Sequence, residues 1–138
     1  MLHPLLVFVG GGLGCLSRYL IAIGIARVWP ASPATAEGAE PLPGVHTGAT
    51  LAVNVIGCLL IGLAWGRLGF GMREEARLLL IVGFLGGFTT FSAIGWETVT
   101  LLSRGHTAHA AAYVAATLVL GMAGVWIGHW LGGGLAAG

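Results

Sequence analysis

Charged residues are scarce in this chain of 138 residues. It has no Lys, Asp or Gln, and its six Arg and five Glu make up 8 % of the sequence, against roughly 25 % in a soluble domain. A soluble fold of this size needs more polar material to cover its surface, so the composition excludes a soluble globular protein. Six Arg balanced by five Glu form no basic face, which excludes nucleic-acid binding. Only two cysteines are present, both within apolar runs, which excludes a disulfide scaffold.

Hydrophobic residues make up 57 % of the chain and fall into four long stretches between clusters of charge. A helix needs about 20 apolar residues to cross a membrane, and a helix is expected because lipid offers the backbone no hydrogen-bond partners. The chain therefore predicts an all-α integral membrane protein with a single domain over residues 1–138. The predicted spans lie at about 4–26, 47–66, 78–102 and 107–130. Residues 28–46, rich in Pro, Ala and Glu, predict an exposed loop.

The arginines show little preference for either side of a four-span arrangement. One side would hold Arg67, Arg73 and Arg77, and the other Arg27 and Arg104. The positive-inside rule orients membrane proteins by such a bias, and three against two is a weak one. Insertion in both orientations, and with it an antiparallel homodimer, is consistent with this balance. The alternative is that Arg18 or the surrounding lipid decides the orientation.

Glycine is abundant, with 25 residues in the sequence. Small residues four positions apart let helices approach closely in lipid. This spacing occurs at Gly10 and Gly14, Gly44 and Gly48, Gly62 and Gly66, Gly83 and Gly87, and in the series Gly124, Gly128 and Gly132. The pattern predicts a tightly packed bundle. Association between copies is also expected, because four thin helices do not easily enclose a pathway alone.

Polar residues inside the apolar stretches mark the candidate functional positions, because polar groups are expensive in hydrocarbon. Asn54, the sole asparagine, falls in the middle of the second span, with Thr50 one helical turn earlier on the same face. A lone asparagine in a membrane often only joins helices. That interpretation stays open beside a functional one.

The third span contains the sequence GFLGGFTTFS over residues 83–92. Adjacent glycines followed by paired threonines weaken a helix, so we expect a break there at mid-membrane, flanked by Phe88 and Phe91. Backbone groups freed by a break are tolerated where they are buried in protein, line a cavity or hold an ion. Glu97 follows about two turns after the glycines. Its carboxylate could pair with Arg104 at the helix end or have a role in an ion pathway.

The other spans add fewer polar candidates. Tyr113 and Thr117 share one face of the fourth span, although threonine in a membrane helix usually bonds its own backbone. Arg18 is expected to be buried against polar partners or carbonyls, with a gating role as the alternative. Hydroxyls, a carboxamide and aromatic edges would suit a small anion, whereas a cation would use carbonyls. No pair of nucleophile and base stands out, so we expect no enzyme.

Three segments carry a family resemblance: GGGLGCLSRY at 10–19, GATLAVNVIGCLLIG at 48–62 and GFLGGFTTFSAIGWE at 83–97. In order and spacing they resemble the Fluc (CrcB) fluoride channels, over nearly the whole chain. The resemblance implies a passive, fluoride-selective channel of the cell (inner) membrane. It implies four transmembrane helices with a broken third helix, assembled as an antiparallel dual-topology homodimer. The partners would be fluoride, the lipid bilayer and a second copy of the chain.

The same resemblance assigns pore residues. Asn54 would donate to fluoride, with Thr50 one turn before it and Phe91 as the first phenylalanine of an aromatic box. Tyr113 and Thr117 match the polar track of the fourth span. The hydroxyl of Ser92 is also expected among the pore donors.

Further positions follow from the resemblance. Gly86 and Thr89 match residues whose backbone carbonyls hold a structural Na⁺ at the dimer axis, and Arg18 matches the arginine of the first span. Two positions depart from the family pattern. Ile94 replaces the second phenylalanine of the box, and Gly121 stands where another hydroxyl is often found.

Two other functions stay open at this point. A small dual-topology, proton-coupled cation exporter would use Glu97 as its proton site. Such an exporter is expected to carry a glutamate in its first span, where this chain has Arg18. The third alternative is a structural membrane subunit without transport activity.

Overall fold

The computed structural model describes residues 2–28 and 46–133, and the predicted loop lies outside these residues except at its two ends. Gly44 is outside them as well. The helices are α1 (Leu2–Val28), α2 (Thr47–Leu68), α3 (Glu74–Ala76), α4 (Gly86–Phe88), α5 (Phe91–Ser103) and α6 (Thr107–Leu131). A 3₁₀ turn, Gly69–Gly71, follows α2, and a π-helical segment, Arg77–Leu85, joins α3 to α4. Within the described ranges the regular structure is entirely helical.

Four helical spans are long and apolar enough to cross a membrane, which confirms the number predicted from the sequence. They are Leu2–Ile25, Thr47–Leu68, Glu74–Ser103 and Thr107–Leu131, called the first to fourth spans below. The third span begins four residues earlier than predicted. Its charged start is helical because Arg77 donates two hydrogen bonds of 2.8 Å to the carboxylate of Glu74, three residues before it. Such a pair stabilises the first turn of a helix.

The helices pack in two main pairs. α1 packs along the π-helical segment and α4, while α2 packs along α6, and α5 also contacts α6. The π-helical hydrogen bonding is visible where the N–H of Gly86 donates to the carbonyl of Ile81, five residues earlier. Single stretches of this wider helix are common at functional sites.

Glycines lie where these helices touch. A Cβ at Gly62 would overlap the carbonyl oxygen of Val125, and one at Gly128 would overlap that of Leu59. The paired glycines of the first, second, third and fourth spans therefore meet neighbouring backbone, as expected for close packing in lipid. Gly48 differs, because a Cβ there would meet open space.

The interior is small and contains two polar side chains. A cluster of Leu101, Ala110 and Tyr113 fills the space between α5 and α6. Asn54 is 7 % exposed and Glu97 4 % exposed, and they are the buried polar side chains of the described part. Large apolar side chains cover the outside of all four spans, the arrangement expected of a surface that faces lipid. The two buried polar residues define where a function has to be sought.

Candidate functional site

The third span is interrupted at two threonines. Thr89 (φ −85°, ψ 161°) and Thr90 (φ −151°, ψ 123°) have extended backbone between α4 and α5. The Thr90 hydroxyl caps α5 by accepting the N–H of Ala93 at 3.3 Å, a common role for threonine at a helix start. The two glycines before them are helical, and Gly86 has φ −63° and ψ −38°. The interruption therefore lies at the two threonines, between Phe88 and Phe91.

Of the two glycines, Gly87 serves packing. A Cβ at Gly87 would overlap the carbonyl oxygen of Gly11 in α1. Gly87 is therefore required for the close approach of α1 to the third span, not for conformational freedom in its own helix turn.

Asn54 holds the interruption together. Its Oδ1 accepts the N–H of Thr90 at 2.8 Å, and its Nδ2 donates to the carbonyl of Thr90 at 3.0 Å. A buried backbone group without a partner is costly. One carboxamide from α2 therefore satisfies both backbone groups of an extended residue in the third span.

This pairing changes the bonding of Gly86. In a continuous α-helix the N–H of Thr90 would donate to the carbonyl of Gly86, four residues earlier. Here that N–H donates to Asn54. The carbonyl of Gly86, an exposed residue, is thereby released from the helical pattern, while the carbonyl of Thr89 accepts an N–H of Arg18 at 3.3 Å.

Glu97 is the centre of a second polar cluster. One carboxylate oxygen accepts the hydroxyl of Thr50 at 2.8 Å and the backbone N–H of His46 at 3.2 Å. The other accepts the hydroxyl of Tyr113 at 2.6 Å. The pairing of Glu97 with Arg104 considered from the sequence is wrong, because Glu97 is buried among these donors and Arg104 is exposed. The carboxylate instead joins α2, α5 and α6.

A cavity of about 640 Å³ opens beside these clusters. It lies between α1, α2 and α5. Its polar lining includes Arg18, His46, Thr50, Thr90, Ser92 and Glu97. Arg18 also donates to the sulfur of Cys15 at 3.6 Å, and that thiol donates to the carbonyl of Gly87 at 3.4 Å. The first span thus contributes a fixed positive charge to the cavity and to the interruption.

The predicted aromatic-box positions lie outside the lining of this cavity. Phe91 is 82 % exposed on the outside of the chain, whereas Ile94 packs inward against the cluster that contains Tyr113. Phe88, the other flanking phenylalanine, is 2 % exposed and stacks on Phe84 with ring centroids 5.9 Å apart.

Two positions of the fourth span have local roles. Thr117 donates to the carbonyl of Tyr113 within the same helix. Gly121 is buried beside Cys58.

Sequence reasoning missed Thr90, His46 and Cys15. Thr90 carried a usable signal, because a threonine directly before an apolar helical run is a candidate N-cap. His46 and Cys15 gave no such signal, since their importance depends on residues more than fifty positions away.

Fold and site together define a multi-pass helical membrane protein whose third span carries a polar interruption held by side chains of the first and second spans. The sequence model of one family, described as CrcB-like protein, Camphor Resistance (CrcB), matches residues 5–129. The chain belongs to this family.

Curated relatives match over almost their full length. A protein of Rhizobium etli strain CFN 42 is 41 % identical over 130 residues, covering 93 % of this chain and 94 % of the relative. A protein of Methylobacillus flagellatus is 37 % identical, with 95 % and 94 % covered, and one of Phocaeicola vulgatus is 37 % identical, with 92 % and 95 % covered. Each of the three is named a fluoride-specific ion channel, FluC. The chain is a multi-pass membrane protein, which in bacteria lies in the cell membrane.

Proposed function

We propose that this protein is a fluoride channel that lets cytoplasmic fluoride leave the cell passively, down its electrochemical gradient. The observation that carries the proposal is the Asn54 carboxamide at the interruption of the third span, in a chain whose curated relatives are named fluoride-specific ion channels. HF crosses membranes unaided and dissociates inside, and the trapped anion then needs a route outward. A channel requires no energy source for this export.

The donors near the interruption suit a small anion. A carboxamide nitrogen carries two hydrogens. One hydrogen of Asn54 goes to the carbonyl of Thr90, so the second is left for an anion. Thr90 and Ser92 share one hydrogen bond of 3.2 Å between their hydroxyls, which leaves one of their two hydrogens for a further acceptor. These neutral donors offset the loss of water without holding the anion as tightly as a full charge would.

Other polar residues support these donors. Thr50 and Tyr113 direct their hydroxyl hydrogens to Glu97, and Thr117 directs its own to the backbone of its helix. In the proposed channel they orient and support the site, and the carboxylate fixes the second, third and fourth spans around it. Phe91, exposed on the outside of one chain, would offer its ring edge to the anion where a second copy covers it.

The channel is proposed to work as an antiparallel dual-topology homodimer in which the interruption of the third span is the break that faces the partner. The small charge bias of the chain and its exposed apolar surface support two oppositely inserted copies. The residues fit a structural Na⁺ at the dimer axis. The carbonyl of Gly86 is released by the interruption, and the carbonyl of Thr89 has a long bond of 3.3 Å to Arg18 and a second lone pair. Two copies would supply four carbonyl oxygens, hard ligands for such a cation. When bound, the ion would hold the copies together.

Fluoride efflux from proteoliposomes tests the function. Purified protein in vesicles loaded with potassium fluoride should release fluoride rapidly once valinomycin allows K⁺ to leave, as followed by a fluoride electrode. Vesicles loaded with chloride serve as the control, with efflux expected to be much slower. Dependence on a pH gradient would favour the proton-coupled exporter that uses Glu97, and absence of efflux would favour the structural subunit.

Replacing Na⁺ by N-methylglucamine throughout purification and reconstitution tests the structural ion separately. We expect loss of efflux together with loss of the dimer on size-exclusion chromatography. Dimer and efflux at their original levels in Na⁺-free buffer would contradict the role of the ion and leave the channel function standing.

A further inference from the structure

The cavity beside the interruption has a nearly balanced charge. The charged side chains in its lining are Arg18 from α1 and Glu97 from α5. Among the described residues of the lining, one guanidinium and one carboxylate sum to a formal charge of zero while His46 is neutral. A proton on the imidazole of His46 would change that sum from zero to plus one.

His46 is held at this position by the backbone. Its N–H donates to the carboxylate of Glu97 at 3.2 Å, directly before α2 begins, and its carbonyl accepts the N–H of Thr50 at 3.0 Å in the first turn. The residue is exposed and lines the cavity. The backbone of His46 is therefore held directly before the second span, and the exposed residue lines the cavity at its mouth, within reach of water.

We propose that His46 is a titratable part of the anion-binding mouth, whose protonation makes the cavity net cationic and speeds the capture of fluoride. The proposal rests on the proposed function of the protein. Histidine is the side chain whose charge ordinarily changes between about pH 5 and about pH 8. A cleft lined by charge of one sign raises the local concentration and the association rate of an oppositely charged ligand, by tenfold or more where several charges act.

Other titratable groups share the surroundings of His46. Cys15 and Tyr19 line the cavity from α1, and Glu97 lines it from α5 with Tyr113 of α6 behind it. An arginine side chain stays protonated in proteins. Substitution of His46 itself therefore separates its titration from theirs.

The direction of the effect follows from the charges. As pH falls, protonated His46 adds a positive charge, so fluoride capture becomes faster. At fluoride concentrations below saturation we expect the initial efflux rate to rise about threefold to tenfold between about pH 8 and about pH 5.5. At saturating fluoride the rise should disappear, because capture then no longer limits flux. A merely structural role of His46 would not produce this dependence on concentration.

The experiment measures initial fluoride efflux from proteoliposomes with equal pH on both sides. It compares the wild type with His46→Gln, which stays neutral, and His46→Arg, which stays charged. His109→Gln is the matched control, because His109 is exposed on α6 and absent from the cavity lining. Protein-free vesicles at each pH give the leak of HF, which is subtracted. Size-exclusion elution reports whether each variant is folded.

The expected result is a rising rate for the wild type and His109→Gln, a low and flat rate for His46→Gln, and a high and flat rate for His46→Arg. A His46→Gln variant that keeps the wild-type dependence on pH would overturn the inference, since another group would then titrate. A flat, low rate for His46→Arg would overturn it as well. Efflux that is independent of pH in the wild type refutes the inference alone, whereas folded protein without efflux at any pH refutes the proposed function too.

Discussion

Substitution of Asn54 separates its two proposed roles, holding the interruption and donating to the anion. Asn54→Leu has a similar branched shape but no polar atom, so the part-buried N–H and carbonyl of Thr90 both lose their partners. An unsatisfied buried group costs about 1–3 kcal/mol, so these two part-buried groups together cost at most roughly 2–6 kcal/mol. Asn54→Asp keeps an acceptor for the N–H of Thr90. It also places a carboxylate oxygen against the carbonyl oxygen of Thr90, where a donor now lies at 3.0 Å.

Both variants are expected to lose fluoride efflux, and Asn54→Leu is expected to unfold at clearly lower temperature. Thermal unfolding in detergent and electrode-monitored efflux from proteoliposomes measure the two effects. Thr100→Val is the matched control, because the Thr100 hydroxyl only bonds the carbonyl of Trp96 in its own helix. Wild-type efflux from a destabilised Asn54→Leu variant would refute the donor role and leave Asn54 with a structural role alone. Wild-type behaviour in both assays would refute the reasoning altogether.

Two further predictions concern the packing and the Glu97 cluster. Gly128→Ala should lower the unfolding temperature and reduce folded yield, because its Cβ overlaps the carbonyl oxygen of Leu59. Gly24→Ala is the control, because its Cβ meets open space and the substitution should be neutral or slightly stabilising. Equal effects of the two substitutions would contradict the proposed packing. Tyr113→Phe removes a 2.6 Å bond to a carboxylate and should cost about 1.5–3 kcal/mol. In a double-mutant cycle with Glu97→Gln, measured by thermal unfolding, that loss should shrink; strict additivity would argue against the bond.

Much of the fold could be predicted because it depends on local composition. Charge-poor stretches of membrane length indicated the four spans, and glycines four apart indicated where backbones touch. The start of the third span could not be placed this way. Charged residues in the sequence indicate the ends of the spans, so Glu74 and Arg77 are predicted to lie in a loop. Their mutual hydrogen bonds instead place them at the start of a helix.

The position of Asn54 in the second span was predictable, but its partner was not. A sequence shows that a lone carboxamide in lipid must find polar groups, and it does not show that they belong to Thr90, thirty-six residues away. The same limit applies to Glu97, whose donors come from His46, Thr50 and Tyr113. Helix propensity indicated a weak stretch between Phe88 and Phe91, but it did not show the tertiary contact that Gly87 makes with the backbone of Gly11.

The chemistry at the interruption explains why an asparagine suits this position in the proposed channel. The side chain has to accept the N–H of Thr90, donate to the carbonyl of Thr90 and still donate to fluoride. A hydroxyl has a single hydrogen, so serine or threonine would have to choose between the backbone and the anion. A carboxylate has no hydrogen and repels the anion. The carboxamide alone combines one acceptor with two hydrogens and no net charge, so Asn54 can bind fluoride without releasing Thr90. Because the backbone bonds persist, the interruption can stay in place while the anion moves past it.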